Sequence, residues 1–118
     1  MHSILFPAWF SIVKSGQSNK NIDWSKLDFG YIKTDKRYVS DFKNGAWDEG
    51  RLTEDANVVI NECAGVLQYA QTVFEGLKAY RTQDGRIVTF RPDLNAKRME
   101  ESAKRLKMPI FPEERFIE

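Results

Sequence analysis

The sequence predicts an α+β domain of antiparallel hairpins flanked by two or three helices. Three observations carry that expectation. Two turn pairs, Asn44-Gly45 and Asp84-Gly85, each lie between runs of strand-forming residues. An apolar stripe at helical spacing follows Pro92. Over 118 residues, 42% are apolar and 30% charged, which suits one compact soluble domain with a core of its own.

At the start of the chain, "SILFPAWFSIV" (3–13) is an apolar run broken by Pro7. It is too short to span a bilayer and lacks the basic flank and small-residue cleavage site of a secretory signal. It reads as a packed or dispensable N-terminal extension. The polar, turn-rich "KSGQSNKN" (14–21) then leads into a domain covering 22–118.

Within that domain the elements follow in order. "RYVSDFKNGAWDEG" (37–50) predicts a hairpin, because Asn and Gly both tolerate the positive φ that a two-residue turn requires. Val58 to Asn61 is a short strand candidate. Leu67, Ala70 and Phe74, with Val66, Tyr69 and Val73 one residue out of step, predict a helix within 64–76 capped by Gly76. A second hairpin is expected from Leu77 to Thr82 and from Arg86 to Arg91. The last long helix is expected to begin at Pro92, where a missing N–H costs nothing, with Asp93 at the positive end of its dipole. Its stripe is Ala96, Met99, Ala103 and Leu106, and Pro109 stops it. Arg98 falls on the flank of that stripe, beside Asn95, Ser102 and Arg105.

Composition excludes several classes of chemistry. The formal net charge is +1, which points to neither a nucleic acid nor an anionic membrane as partner. His2 is the single histidine and Cys63 the single cysteine, so a His-based triad, a His/Cys metal site and an intrachain disulfide are not expected. Cys63 has no basic neighbour to lower its pKa and reads as a small buried apolar residue in a reducing compartment. Neither Walker spacing nor G-x-G-x-x-G occurs, and the carboxylates lie scattered among lysines as on solvated surfaces. Two cations have double readings. Arg98 is either a surface ion-pair residue or a planar anion grip at a pocket edge. Lys78 is either an exposed strand residue or a Schiff-base lysine, which would need desolvation or a cationic neighbour.

The text "LQYAQTVFEGLKAYRTQDGRIVTFRPDLNAKRMEESAKRLKMP" (67–109) closely resembles the N-terminal small domain of branched-chain amino acid aminotransferases. The upstream "IDWSKLDFGYIKTDKRYVSDFKNGAWDEGRL" is similar to the opening of the same family. The combination of "VFEGLKAYR" with "FRPDLNAKRM" is specific, and the likeness runs from about Ile22 to Glu118. The resemblance implies a fold-type IV, class IV enzyme that uses pyridoxal 5′-phosphate. Its substrates would be leucine, isoleucine and valine with their 2-oxo acids and 2-oxoglutarate, in a cytoplasmic homodimer.

The resemblance also assigns roles. Arg98 in "NAKRM" matches the arginine that binds the cofactor's 5′-phosphate. Phe29 in "DFGY", Tyr69 in "LQY" and Phe74 in "VFEG" match aromatics that line the pocket for the substrate side chain. Gln68 stands where the family usually has histidine, which puts any hydrogen bond through that position in doubt. Lys78 does not match the Schiff-base position; that lysine belongs to a larger C-terminal domain expected beyond Glu118. The chain is therefore expected to hold no catalytic residue and to be inactive by itself. Two rivals stand beside this reading: a D-amino acid aminotransferase-like enzyme of class IV, and a non-catalytic binding module that retains the fold.

Overall fold

The computed structural model describes the backbone of Phe6–Ile12 and residues 35–118. Phe29 and the linker 14–21 lie outside the described residues. Among the described residues the architecture is α+β: one four-stranded antiparallel sheet, one separate two-stranded hairpin and three helices.

The larger sheet is organised around β2 (Lys36–Lys43). Strand β1 (Phe6–Ile12) pairs with one edge over its whole length, from Phe6 opposite Phe42 to Ile12 opposite Lys36. The apolar run at the N-terminus therefore contributes a strand. The other edge of β2 is shared by β3 (Ala46–Trp47) and β4 (Arg51–Thr53). Asn44 and Gly45 turn the chain between β2 and β3 with φ of 53° and 83°, the positive pair a type I′ hairpin turn requires.

Between β3 and β4 the register slips by one residue. Phe42 faces Trp47, but Val39 faces Arg51, so three residues (48–50) oppose two, a β-bulge. Asp48 ties it down. Its Oδ1 accepts hydrogen bonds from the Ser40 hydroxyl at 2.9 Å and from the amides of Asp41 and Gly50, each at 3.0 Å. Gly50 has φ of 76°, and a Cβ there would stand 2.0 Å from the Tyr38 hydroxyl, so both backbone and space demand glycine.

The packed centre lies where α3 (Glu113–Ile117) meets this sheet. Ser40 is fully buried in mid-strand, and Val39 beside it points to the opposite face. Arg115 donates to the Tyr38 hydroxyl at 2.5 Å and to the Ser40 hydroxyl at 3.3 Å. Trp47 packs edge-on against Phe42 at 5.2 Å and against Phe111 at 5.1 Å, and its indole N–H donates to the Ile110 carbonyl at 2.7 Å. Phe111 is buried beneath the Arg115 guanidinium, 5.1 Å from its ring centre.

Helix α2 (Pro92–Arg105) starts at the expected proline and buries Ala96 and Ala103 from the expected stripe. Arg91 precedes it in the left-handed region and donates to Asp93 at 3.1 and 2.9 Å. A Schellman motif ends it. The Lys107 amide returns to the Lys104 carbonyl at 3.2 Å, the Met108 amide to the Ala103 carbonyl at 2.9 Å, and Lys107 has φ of 55°.

Three sequence expectations are corrected between the sheet and α2. Val58 to Asn61 forms no strand; Val58 and Val59 are exposed. The helix expected within 64–76 is the short α1 (Gly65–Tyr69), closed by Ala70 in the left-handed region with φ of 49°, and Gly76 has no positive φ. None of its residues is buried, and it has no side-chain cap. A helix this short depends on packing of an apolar face, which Val66 and Leu67 do not find among the described residues. Cys63 is exposed, because it sits in the turn before α1, where its amide donates to the Asn61 side chain.

The second hairpin forms as expected, but shorter. Strands β5 (Ala79–Arg81) and β6 (Ile87–Thr89) pair antiparallel and stand apart from the main sheet. The Gly85 amide donates to the Thr82 carbonyl at 3.0 Å, and Gly85 takes φ of 84°, a three-residue loop of the type-I-plus-bulge kind.

Candidate functional site

The site is built from the flank of α2 and the chain that runs past it. After α1, residues 71–76 extend along the helix in the opposite direction. At one end the Gln71 side-chain Nε2 donates to the Leu106 carbonyl at 2.8 Å. At the other, Asn95 donates to the Gly76 carbonyl at 2.9 Å and to Glu75 Oε2 at 2.9 Å. One turn along α2 from Asn95, on the same face, Arg98 closes on the same carboxylate. Its Nε donates to Glu75 Oε1 and its Nη2 to Oε2, each at 2.6 Å, a parallel bidentate pair.

The two partners meet solvent very differently. The Glu75 side chain is 6% exposed, whereas that of Arg98 is 65% exposed. The hydrogen bonds from Arg98 hold the Glu75 carboxyl below the ordinary glutamate value, against an upward push from burial and with further help from Asn95 and the Arg98 charge. Hydrogen bonding and charge from Glu75 likewise raise the Arg98 pKa. The pair is ionised at neutral pH.

The predicted site residues are distributed as follows. Arg98 is on the flank of α2 where the periodicity puts it, and it is ion-paired as its first reading held. Phe74 precedes the glutamate that Arg98 grips, and its ring is 86% exposed. Tyr69 lies at the last position of α1 and is 87% exposed. Lys78 is exposed, one residue before β5. Among the described residues, no group of His, Cys, Asp or Glu is arranged to hold a metal ion.

Sequence reasoning missed Glu75. It grouped the carboxylates as solvated, yet the side chain of this one is largely shielded from solvent and organises the site. The signal was present: Glu75 is the one charge in "TVFEGL" (72–77), a setting that a solvated carboxylate seldom occupies.

Comparison with known proteins identifies the lineage. No protein-family profile matches the chain. Individual relatives do. The chain is 52% identical over 98 residues to the branched-chain-amino-acid aminotransferase of Haemophilus influenzae, covering 83% of this chain and 29% of that protein. It is 48% identical over 98 residues to the branched-chain-amino-acid aminotransferase of Helicobacter pylori, again 83% of this chain and 29% of the relative. The chain belongs to the branched-chain amino acid aminotransferase family. A methionine aminotransferase of Arabidopsis thaliana is also similar, at 43% identity over 104 residues, with 87% of this chain and 29% of that protein covered. The chain thus spans about three-tenths of the length of these aminotransferases.

The chemistry of the donor set fits the phosphate of an aminotransferase cofactor. Glu75 engages two of the five N–H donors of the Arg98 guanidinium, and three remain on a side chain open to solvent. A planar cation with donors to spare, mounted on a capped helix, can take a phosphate oxygen pair without moving the backbone.

Proposed function

We propose that the protein transfers the amino group of leucine, isoleucine or valine to 2-oxoglutarate, with pyridoxal 5′-phosphate as cofactor. The observation that carries this reading is the 52% identity, over 98 residues, to a branched-chain aminotransferase. In this reading residues 22–118 form the small domain of a fold-type IV enzyme, preceded by an extension over 1–21. The enzyme works as a cytoplasmic homodimer. No helix among the described residues is long and apolar enough to cross a membrane.

When bound, pyridoxal phosphate supplies an electron sink for charge developing at the substrate Cα. This chain's residues bind and enclose. Arg98 holds the 5′-phosphate through the donors that Glu75 leaves free. Phe29, Tyr69 and Phe74 line the substrate side-chain pocket, where rigid rings exclude water and reward aliphatic burial at roughly 25 cal/mol per Å². Lys78 takes no part in proton transfer and serves as an ordinary exposed residue.

An amine-donor profile of the complete expressed protein tests the assignment. L-leucine, L-isoleucine and L-valine should all be consumed with 2-oxoglutarate as acceptor. Activity with D-alanine and none with L-leucine would replace this reading with a D-amino acid aminotransferase. In the same protein, Arg98→Ala should weaken pyridoxal phosphate binding markedly; unchanged affinity removes Arg98 from its role.

A further inference from the structure

We propose that Glu75 is a positioning residue: its carboxylate locks the Arg98 guanidinium so that the remaining N–H donors face a phosphate monoester. The inference rests on the reading of Arg98 as a phosphate-binding residue, and it assigns the group that aims it.

The geometry carries the argument. Both carboxylate oxygens are used: Oε1 accepts from Arg98 Nε, and Oε2 accepts from Arg98 Nη2 and Asn95 Nδ2. Asn95 also holds the Gly76 carbonyl, so the backbone that carries Glu75 is fixed to the helix that carries Arg98. Two contacts to a planar fork set both the direction of the side chain and the plane of the guanidinium, which a single contact would not. An arginine free on a helix surface loses much rotamer freedom when it grips an anion. Here that loss has already occurred, so less is deducted from the binding free energy.

Charge works against this arrangement, and the opposition makes it testable. A carboxylate 2.6 Å from the guanidinium partly cancels the positive potential offered to an incoming phosphate. If Glu75 acted on the anion only through its charge, neutralising it would tighten phosphate binding. If it acts by orientation, replacing it with glutamine, which offers one acceptor oxygen in place of two, weakens binding. The two accounts give opposite signs.

The experiment titrates the complete expressed protein with pyridoxal phosphate and, separately, with pyridoxal, which lacks the phosphate. Arg98→Ala comes first, since unchanged pyridoxal phosphate affinity there overturns the phosphate role itself. With that role standing, Glu75→Gln should weaken pyridoxal phosphate binding roughly tenfold, about one charge-assisted hydrogen bond, and leave pyridoxal unaffected. In an Arg98→Lys background the same change should have little further effect, because an ammonium presents no fork to align. Unchanged or tighter binding by Glu75→Gln overturns the positioning role alone. Should that variant fail to fold, the unmodified protein decides by NMR before cofactor is added. A slowly exchanging Arg98 Nε–H signal with hindered guanidinium rotation supports the proposal, and a freely rotating, averaged guanidinium refutes it.

Discussion

Two regions of this chain are folded by different means. Around β2 and α3, side chains hold one another: Trp47 lies between Phe42 and Phe111, and Arg115 reaches across to Tyr38 and the buried Ser40. From Val58 to Phe90, large apolar side chains face outward instead, including Val59, Tyr69, Phe74, Tyr80 and Phe90. That second region is shaped by turn chemistry and by polar bonds to α2 from Gln71, Glu75 and Gly76. The first region supplies stability. The second buries little and leaves its rings, with Arg98, open to solvent.

The largest effect should come from breaking the packed region. Phe111→Ala removes a buried ring that touches Trp47 and Arg115 and should cost about 3–5 kcal/mol in urea unfolding. Gly50→Ala comes next, at about 1–3 kcal/mol, because it places a side chain at positive φ against the Tyr38 hydroxyl. Its loss should be smaller in a Tyr38→Ala background, measured the same way, since the added Cβ meets the ring carbons Cζ and Cε2 at 2.2 and 2.7 Å as well as the hydroxyl.

Acid should act on the second region through Glu75. Its pKa lies below the unfolded value, so its contribution is complete above the ordinary glutamate range and is lost as pH falls through the lowered pKa. Amide protection factors at 71–76, measured relative to the intrinsic exchange rate at each pH, should therefore fall in acid, and Glu75→Gln should remove that pH dependence. The smallest effect belongs to Phe74→Ala, whose ring is exposed: stability should change by less than about 0.5 kcal/mol. Amino-donor affinity in the complete protein should nevertheless fall. A large stability loss from Phe74→Ala would erase the distinction between the two regions.

Asp48 sharpens the contrast from the other side. Burial pushes its carboxyl up, but the bonds from Asp41, Ser40 and Gly50 and the charge of Arg51 together hold it below the ordinary aspartate value. Both regions thus contain a carboxylate bound by three donors. Asp48 closes a bulge within the sheet, whereas Glu75 leaves an exposed cation aimed outward.

Much of this was legible beforehand, for a local reason. The turns at Asn44-Gly45 and 83–85, the start of α2 at Pro92 and its end before Pro109 are decided by the φ, ψ and hydrogen-bonding limits of a few adjacent residues. The flank position of Arg98 follows from helical periodicity, and the family likeness was carried by contiguous text. The failures share the opposite cause. Periodicity over 64–76 specified an apolar face but not whether anything would cover it, and α1 stops at Ala70 with that face open. Val58 to Asn61 had strand propensity but pairs with no strand among the described residues.

By itself, then, the sequence determined the hairpin turns, the extent of α2, the flank on which Arg98 stands and the family to which the chain belongs. Only the tertiary structure decided that the Glu75 side chain is shielded from solvent, that both its oxygens meet Arg98 across 23 residues of chain, and that Tyr69 and Phe74 remain open to solvent. The physical reason is range: turns and helix ends depend on neighbours in sequence, whereas burial and ion pairing depend on which distant segment lies alongside.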